Sequence, residues 1–273
     1  MLVYNCTKAA VDFFTVTRKG KKDSPLTEPP IDSISDSGND VRHISQWLVH
    51  AIKVQRKHVL IVMHIHTRYA MIFCNLKKGD WNTFLELHLE RLFNNMQFFG
   101  EEFEMCDEHT FHNMFRRYLR KHPKPYFCKR GDRSAQSHIN EVVWQFEDRV
   151  NEIGVLPNNQ EEAASFDEWI NSMIRSTKRH PDYFYPDEEM FFDWMLEYGD
   201  LDPSEREFVQ ANFASLRQQM RATGISDPDK IDEIQAAMEA VMEQHNKRIN
   251  KTQLDSLPDN VVDFQAAKAS QKH

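Results

Sequence analysis

The stretch WLVHAIKVQRKHVLIVMHIHTRYAMIFCNL, residues 47 to 76, contains three apolar, β-branched segments separated by the short polar breaks QR and HTR. Runs of this kind, divided by breaks of two or three residues, are typical of consecutive strands in an antiparallel meander. A short strand at LVYN near the start and amphipathic helices further along complete the pattern. The sequence therefore predicts an α+β fold with an antiparallel sheet and helices.

Several predicted helices begin at residues that can cap them. Thr7 precedes a helix through Phe14, and Asp80 precedes a helix with an apolar stripe. A side-chain oxygen at such a position accepts a hydrogen bond from an unpaired N–H group of the first helical turn. The loop KRGDRS precedes another predicted helix, and we expect Ser134 to cap this helix in the same way.

Charge is distributed unevenly along the chain. The formal net charge is -8, but residues up to 155 carry 22 Lys and Arg against 19 Asp and Glu, whereas residues from 156 onward carry 12 against 23. The apolar periodicity also becomes helical throughout after Pro157. Such a change along the chain is typical of two domains.

The predicted organisation has three parts. An α+β domain over residues 1–155 precedes an acidic all-α helical domain over 156–250, built as a four-helix bundle or an extended helical hairpin. Residues 251–273 are expected to form a flexible tail. The stretch 17–40, rich in Ser, Asp, Pro and Lys, is expected to be a flexible loop inside the first domain.

Motifs that carry known chemistry are not found in the sequence. With only eight glycines, the chain has no GxGxxG, GxxxxGK[ST] or GxSxG stretch. Its thirteen histidines and four cysteines show neither the paired short spacings of a zinc finger nor HExxH. We therefore expect no catalytic residue, no metal and no cofactor, and an enzyme with an unrecognised site is the third hypothesis for function.

Widely separated cysteines are typical of reduced thiols in an intracellular protein. The longest apolar runs, VLIVM and AMIFC, are far too short to span a bilayer. The amino terminus also lacks a basic segment followed by an apolar one. We expect a cytoplasmic protein with no membrane partner.

The strongest local concentration of positive charge is RRYLRKHPKPYFCKRGDR, residues 116 to 133. Its cations can bind phosphates and its aromatic residues can stack on unpaired bases, which favours nucleic acid. Because the protein as a whole is acidic, an acidic protein surface, within this chain or on another, is the favoured partner. The residues of this basic patch are Arg116, Arg117, Arg120, Lys121, Lys124, Lys129 and Arg130.

Trp144 lies away from the apolar face of its predicted helix. At 100° per residue, Ser137, Asn140 and Trp144 are roughly 100 to 160° from the centre of the face that Ile139, Val142 and Phe146 share with other apolar residues. Trp144 therefore needs another partner. We expect it to anchor the two domains to each other by packing against the aromatic stripe that contains Phe166 and Trp169, with Ser137 and Asn140 beside it.

Several short motifs resemble a bacterial domain family of unknown function. They are Cys6-Thr7-Lys8, Trp47, Arg56-Lys57, Thr67, and Arg133-Ser134 followed by Asn140-Glu141. Members of that family carry a C-T-K start and a later R-S-V-L-G-S-M-N-D stretch, in which this chain has Ser137 and His138 in place of the glycine and the serine after it. The resemblance covers roughly residues 1 to 155 and implies an α+β domain without implying an activity.

These observations favour a non-enzymatic cytoplasmic protein that binds another protein through apolar and acidic surfaces. An inhibitor or regulator encoded by a mobile element is compatible with the charge split. The alternative is a nucleic-acid-associated factor that uses the basic patch. The predicted interaction residues are Trp144, Asn140, Ser137, Arg133, Trp169 and Phe166.

Overall fold

Seven strands and seven α-helices follow one another in the residues that the structure, a computed structural model, describes, namely 1–30, 45–177 and 182–222. The strands are β1 (Leu2–Cys6), β2 (Val16–Arg18), β3 (Lys21–Asp23), β4 (Ser45–Val54), β5 (Lys57–His64), β6 (Ala70–Phe73) and β7 (Pro125–Lys129). The helices are α1 (Lys8–Phe14), α2 (Trp81–Glu102), α3 (Glu108–Lys121), α4 (Arg133–Ile153), α5 (Gln160–Asn171), α6 (Pro186–Tyr198) and α7 (Arg206–Ala222).

Five of the strands form one sheet in the order β6-β5-β4-β1-β7. Strands β4, β5 and β6 pair antiparallel, which confirms the predicted meander. Strand β1 pairs in parallel with both β4 and β7. The α+β class is confirmed, but the sheet is mixed rather than antiparallel, because long crossover connections lead from β1 to the strands beside it.

Helices cover both faces of this sheet. The face that contains Tyr4, Trp47 and Val62 packs with α1, α2, α3, α6 and α7, whereas α4 and α5 cover the face that contains Ile61 and Ile72. In the described residues, helices α5 to α7 therefore belong to two layers instead of forming a bundle, because the sheet itself offers apolar partners for their stripes.

The chain divides into two compact units, Met1–Arg217 and Gln218–His273. The predicted boundary between residues 155 and 156 falls inside the first unit. There, α5 packs along β6 and α6 packs against α2 and α3. The predicted tail, 251–273, lies outside the described residues.

Part of the stretch that was expected to be a flexible loop forms a two-stranded ribbon. Strands β2 and β3 pair antiparallel across Lys19 and Gly20, whose φ angles are 51° and 75°. Glycine adopts this left-handed conformation at little cost, and two such residues make the turn that matches the twist of a hairpin. The prediction of a flexible loop is wrong for residues 17–23, because the Lys-Gly turn signal lies inside a lysine-rich run and was not read as the turn of a hairpin. Residues 31–40 lie outside the described part.

Two of the three expected helix caps are confirmed. The Thr7 hydroxyl accepts from Ala10 N–H at 3.3 Å, and the Asp80 carboxylate accepts from Thr83 N–H at 3.3 Å. Helix α4 is capped by Asp132, which accepts from Ala135 N–H at 2.7 Å. The prediction for Ser134 is wrong because the carboxylate two residues earlier takes the cap position and leaves Ser134 inside the helix.

Candidate interaction site on α4

Helix α4 has a buried side and an exposed side. Its buried residues, Ala135, Ile139, Val142, Phe146 and Val150, pack on the sheet. Other side chains recur every three or four residues, the spacing at which residues share one side of a helix, and all of them are exposed. This α4 stripe consists of Arg133, Ser137, Asn140, Glu141, Trp144 and Asp148.

Trp144 is the large apolar residue of the α4 stripe, with 59% of its surface exposed. Phe166 is buried and places its ring 5.1 Å from that of Phe146 on the core side, while Trp169 is 39% exposed and contacts Phe166. The expectation that Trp144 packs against Phe166 and Trp169 to join two domains is therefore wrong. Phe166 is drawn to the sheet, where it buries more apolar surface than it would against an indole on the outer side of α4.

The polar residues of the stripe bond mainly within their own helix. Ser137 donates to the Ser134 carbonyl at 2.8 Å, and Asn140 accepts from the Gln136 amide at 2.9 Å. Arg133 is exposed and makes no ion pair with a described residue. These side chains leave the surface around Trp144 polar and accessible.

Two buried arginines lie beside the stripe. Arg175 donates to the Glu141 carboxylate at 2.9 Å and has a side chain that is 1% exposed. Arg68 follows β5 in a left-handed turn, with φ of 60°, and donates to the Ser134 hydroxyl at 2.8 Å. Two of the motifs that resemble the domain family, the turn at Thr67 and the start of α4, therefore meet at this point.

The charge around Arg175 is only partly compensated. Burial lowers its pKa while Glu141 opposes that effect, and its Nε and Nη2 atoms are buried without a hydrogen-bond partner in the described residues. Burial also lowers the pKa of His138, and the charges of Arg68 and Arg175 lower it further. The Glu141 carboxylate is therefore the charged partner that the described residues offer to Arg175.

A separate polar group lies in the interior, between the sheet and α2. Tyr4 bonds His88 at 2.8 Å, the rings of His88 and Trp47 are 4.5 Å apart, and His64 bonds Thr67 at 2.9 Å. Burial lowers the pKa of His88 to about 3, so its imidazole is neutral in the folded protein. All five residues are at most 7% exposed, which fits a structural role rather than contact with a ligand.

The predicted basic patch does not form one surface. Arg117 pairs with Asp200 at 2.5 Å, and Lys121 pairs with Glu197, so two of its cations are neutralised by acidic residues of the second half of the chain. Strand β7 separates Lys124 at its start from Lys129 and Arg130 at its end, at about 3.3 Å per residue. Arg116 and Arg120 lie on the exposed side of α3.

Arg68 and Arg175 were not predicted as part of any site. Each stands in an irregular segment, and no spacing in the sequence relates residue 68 to residue 175. The one sequence signal for this site was the pair of motifs at Thr67 and at Arg133-Ser134. The resemblance showed that both motifs belong to the same family, but it did not show that they are close in space.

The described residues contain neither a metal-binding cluster nor a membrane-spanning helix. Within the ranges 1–30, 45–177 and 182–222, no three His, Cys, Asp or Glu side chains are placed to hold a metal ion. None of the helices there is long and apolar enough to cross a bilayer.

Comparison with known proteins gives a family but no function. No curated protein and no solved structure matches the chain. Residues 3–189 match a family described as a domain of unknown function, DUF6933, which confirms the resemblance and extends it beyond residue 155. The match runs from β1 through α5 into the first turn of α6 and covers more than half of the chain. The protein therefore belongs to the DUF6933 family of domains of unknown function.

Proposed function

We propose that the protein is a non-enzymatic, cytoplasmic binding protein whose α4 stripe docks another protein. The observation that carries this proposal is the exposed indole of Trp144 on a rigid helix of 21 residues. Tryptophan is enriched among the residues that dominate protein interfaces, because it buries a large apolar surface at a small entropic cost. Because 59% of the surface of Trp144 is exposed, a partner protein that covers the indole would bury this apolar surface on binding.

The surroundings of Trp144 resemble the rim of an interface. Polar side chains, Asn140 and Ser137, stand on one side, and Asp148 stands one turn further along. The stripe begins with a cation at Arg133 and ends with an anion at Asp148. This polarity favours one orientation of a partner that offers an apolar recess for the indole.

The pair formed by Glu141 and Arg175 fixes the middle of the stripe. Because Arg175 is buried and is anchored by its backbone to Phe184 at 2.8 and 2.9 Å, it holds the Glu141 carboxylate in place. A carboxylate that is already held in place loses less side-chain conformational entropy when a partner binds. The free cysteines at 6, 74, 106 and 128 are consistent with the cytoplasmic location that we propose.

A photo-reactive amino acid placed at position 144 tests the proposal in the native host. The matched control is position 153, because Ile153 is 56% exposed on the same helix but lies outside the stripe. We expect one protein to cross-link from position 144 and not from position 153. With that protein purified, Trp144→Ala should weaken binding by about 30-fold, the equivalent of about 2 kcal/mol.

The same measurement has a result that rejects the proposal. Equal cross-linking from positions 144 and 153, or an equal loss of affinity for Trp144→Ala and Ile153→Ala, would show that the stripe is an ordinary solvated surface.

A further inference from the structure

One end of the sheet carries an unusual number of exposed cations. Three segments meet there: the turn between β4 and β5, the loop after β6, and the ribbon of β2 and β3. Every Lys and Arg side chain of these segments is exposed. This basic end consists of Arg18, Lys19, Lys21, Lys22, Lys53, Arg56, Lys57, Lys77 and Lys78.

Contacts with one another or with Phe13, near the end of α1, link the three segments. Gly79 donates its N–H to the Phe13 carbonyl at 2.9 Å, and a Cβ on Gly79 would lie 2.7 Å from a methyl group of Val16. The loop with Lys77 and Lys78 is thereby pressed against the base of the ribbon. On the other side, His58 pairs with Lys53 across the β4–β5 hairpin, and its ring is 5.2 Å from that of Phe13.

The nine cations have no partners in the described part of the chain. None of them makes an ion pair or a side-chain hydrogen bond there, in contrast to Arg117 and Lys121 of the predicted basic patch, which pair with acidic residues of α6 and the loop after it. The carboxylates nearby are fewer than the nine cations. Asp80 caps α2, and Asp12 and Asp23 lie close in sequence. Gln55 bonds Gly154 and Asn75 bonds Asn158, which brings Glu152 and Glu162 to the edge of the basic end. Burial lowers the pKa of His58, and Lys53 and Lys78 lower it further, as expected in a positive potential.

The ribbon has a form that suits a nucleic acid. All residues from Thr17 to Asp23 are exposed, so the ribbon has no apolar face to bury against the protein. Its tip at Lys19 and Gly20 turns tightly, with cations at both ends of the turn. A two-stranded β-ribbon fits the major groove of a duplex, and its lysine and arginine side chains then reach the phosphates on either side.

We propose that the basic end binds the phosphate backbone of a nucleic acid duplex without regard to sequence, with the ribbon of β2 and β3 entering a groove. The segments of the basic end themselves carry none of the large exposed apolar side chains of the described residues, although Ile153 and Val155 lie beside Gln55 at its edge. A protein interface has an apolar centre in which charges are depleted, whereas nucleic-acid interfaces are strongly positive. The lack of exposed aromatic rings on these segments also favours a duplex over unpaired bases, which bind by stacking.

Fluorescence anisotropy of the full chain with a labelled duplex of about 30 base pairs, at a series of salt concentrations, tests the proposal. The affinity should fall linearly with salt on logarithmic axes. The slope can reach about -8 if all nine cations contact phosphates, since each contact contributes about 0.9. Replacing Arg18, Lys19, Lys21 and Lys22 by Gln should make the slope shallower by up to about 3.6 and weaken binding at least about tenfold at low salt.

The matched control removes the same number of charges from the other basic stretch, through Arg116→Gln, Arg120→Gln, Lys124→Gln and Lys129→Gln. These four side chains are also exposed. The control should retain the affinity and slope of the unaltered protein, and so should Trp144→Ala, since the basic end acts independently of the α4 stripe.

Three results would overturn the proposal. They are the absence of duplex binding at about 50 mM salt, an equal loss of affinity in the ribbon variant and the control, and binding to poly-L-glutamate as tight as to the duplex. The last result would assign the basic end to acidic polypeptides instead.

Discussion

Asn171 bonds both backbone groups of Ala70, accepting from its N–H at 2.7 Å and donating to its carbonyl at 2.7 Å. Two residues further along β6, the Asp167 carboxylate accepts from Ile72 N–H at 2.7 Å and Arg91 donates to the Ile72 carbonyl. Strand β6 is at the edge of the sheet, where such groups would otherwise be open to pairing with another chain. Side chains of α5 and α2 thus take the place of a sixth strand.

We expect Asn171→Ala to lower the free energy of unfolding by about 2 to 4 kcal/mol, because it leaves a buried N–H and a buried carbonyl of Ala70 without partners. Urea denaturation followed by circular dichroism measures the change. Asn151→Ala is the matched control, since Asn151 is exposed on α4 and makes no hydrogen bond with a described side chain. A loss no larger than that of the control would show that water replaces the amide at this edge.

The sequence predicted the parts of the fold that depend on neighbouring residues. The meander of β4 to β6 and the caps at Thr7 and Asp80 follow from local pattern and turn chemistry. The role of α5 could not be predicted from local pattern, because Asp167 and Asn171 are polar residues, which a helical pattern places on the solvent side of a helix. Only the position of the β6 edge, which is far away in the sequence, shows why they are buried.

The candidate site was predicted in the same uneven way. Helical periodicity was enough to place Trp144 off the core face of α4, and the exposed indole confirms that part. What the indole would contact could not be derived, because Phe166 has apolar partners on both the sheet and α4 and the sequence does not rank them. The nine cations of the basic end were missed for a related reason, since three separate segments contribute them and no single run stands out.

The buried histidine His88 should make the protein less stable in acid. Its folded pKa, lowered to about 3 by burial and by Arg91, is below the ordinary value of 6.5, so the unfolded chain binds a proton that the folded chain does not. Stability that is present above pH 6.5 is therefore lost as the pH falls toward 3, by up to about 1.4 kcal/mol per pH unit. In His88→Phe this contribution disappears and the stability declines less steeply.

Urea denaturation of both proteins between pH 4 and pH 7 provides the measurement. His64 and His122 also have lowered pKa values and contribute a slope of the same sign, so the comparison between the two proteins isolates His88. Parallel stability curves for the two proteins would mean that His88 is protonated in the folded state. An NMR titration of its imidazole would then show a pKa near the ordinary value.

The helices after residue 155 are expected to be required for the first 155 residues to fold. A chain that ends at residue 155 lacks Asp167 and Asn171, so both backbone groups of Ala70 and the N–H of Ile72 become an open edge. It also lacks Phe166 and Ile170 on one face of the sheet, and Phe191 and Trp194 on the other. Four buried apolar side chains contribute about 1.5 to 3 kcal/mol each, and their sum of about 6 to 12 kcal/mol is comparable to the whole stability of a typical domain, about 5 to 15 kcal/mol.

We therefore expect residues 1–155 to aggregate or to remain unfolded, whereas residues 1–217, the first compact unit, should be soluble and unfold cooperatively. Size-exclusion chromatography and thermal unfolding of the two fragments separate these outcomes. A soluble 1–155 fragment that unfolds cooperatively would instead support the two-domain organisation predicted from the charge and periodicity of the sequence. The α5 contacts on β6 would then be an interface between domains, and adding residues 156–217 as a separate chain should restore the unfolding temperature of the 1–217 fragment.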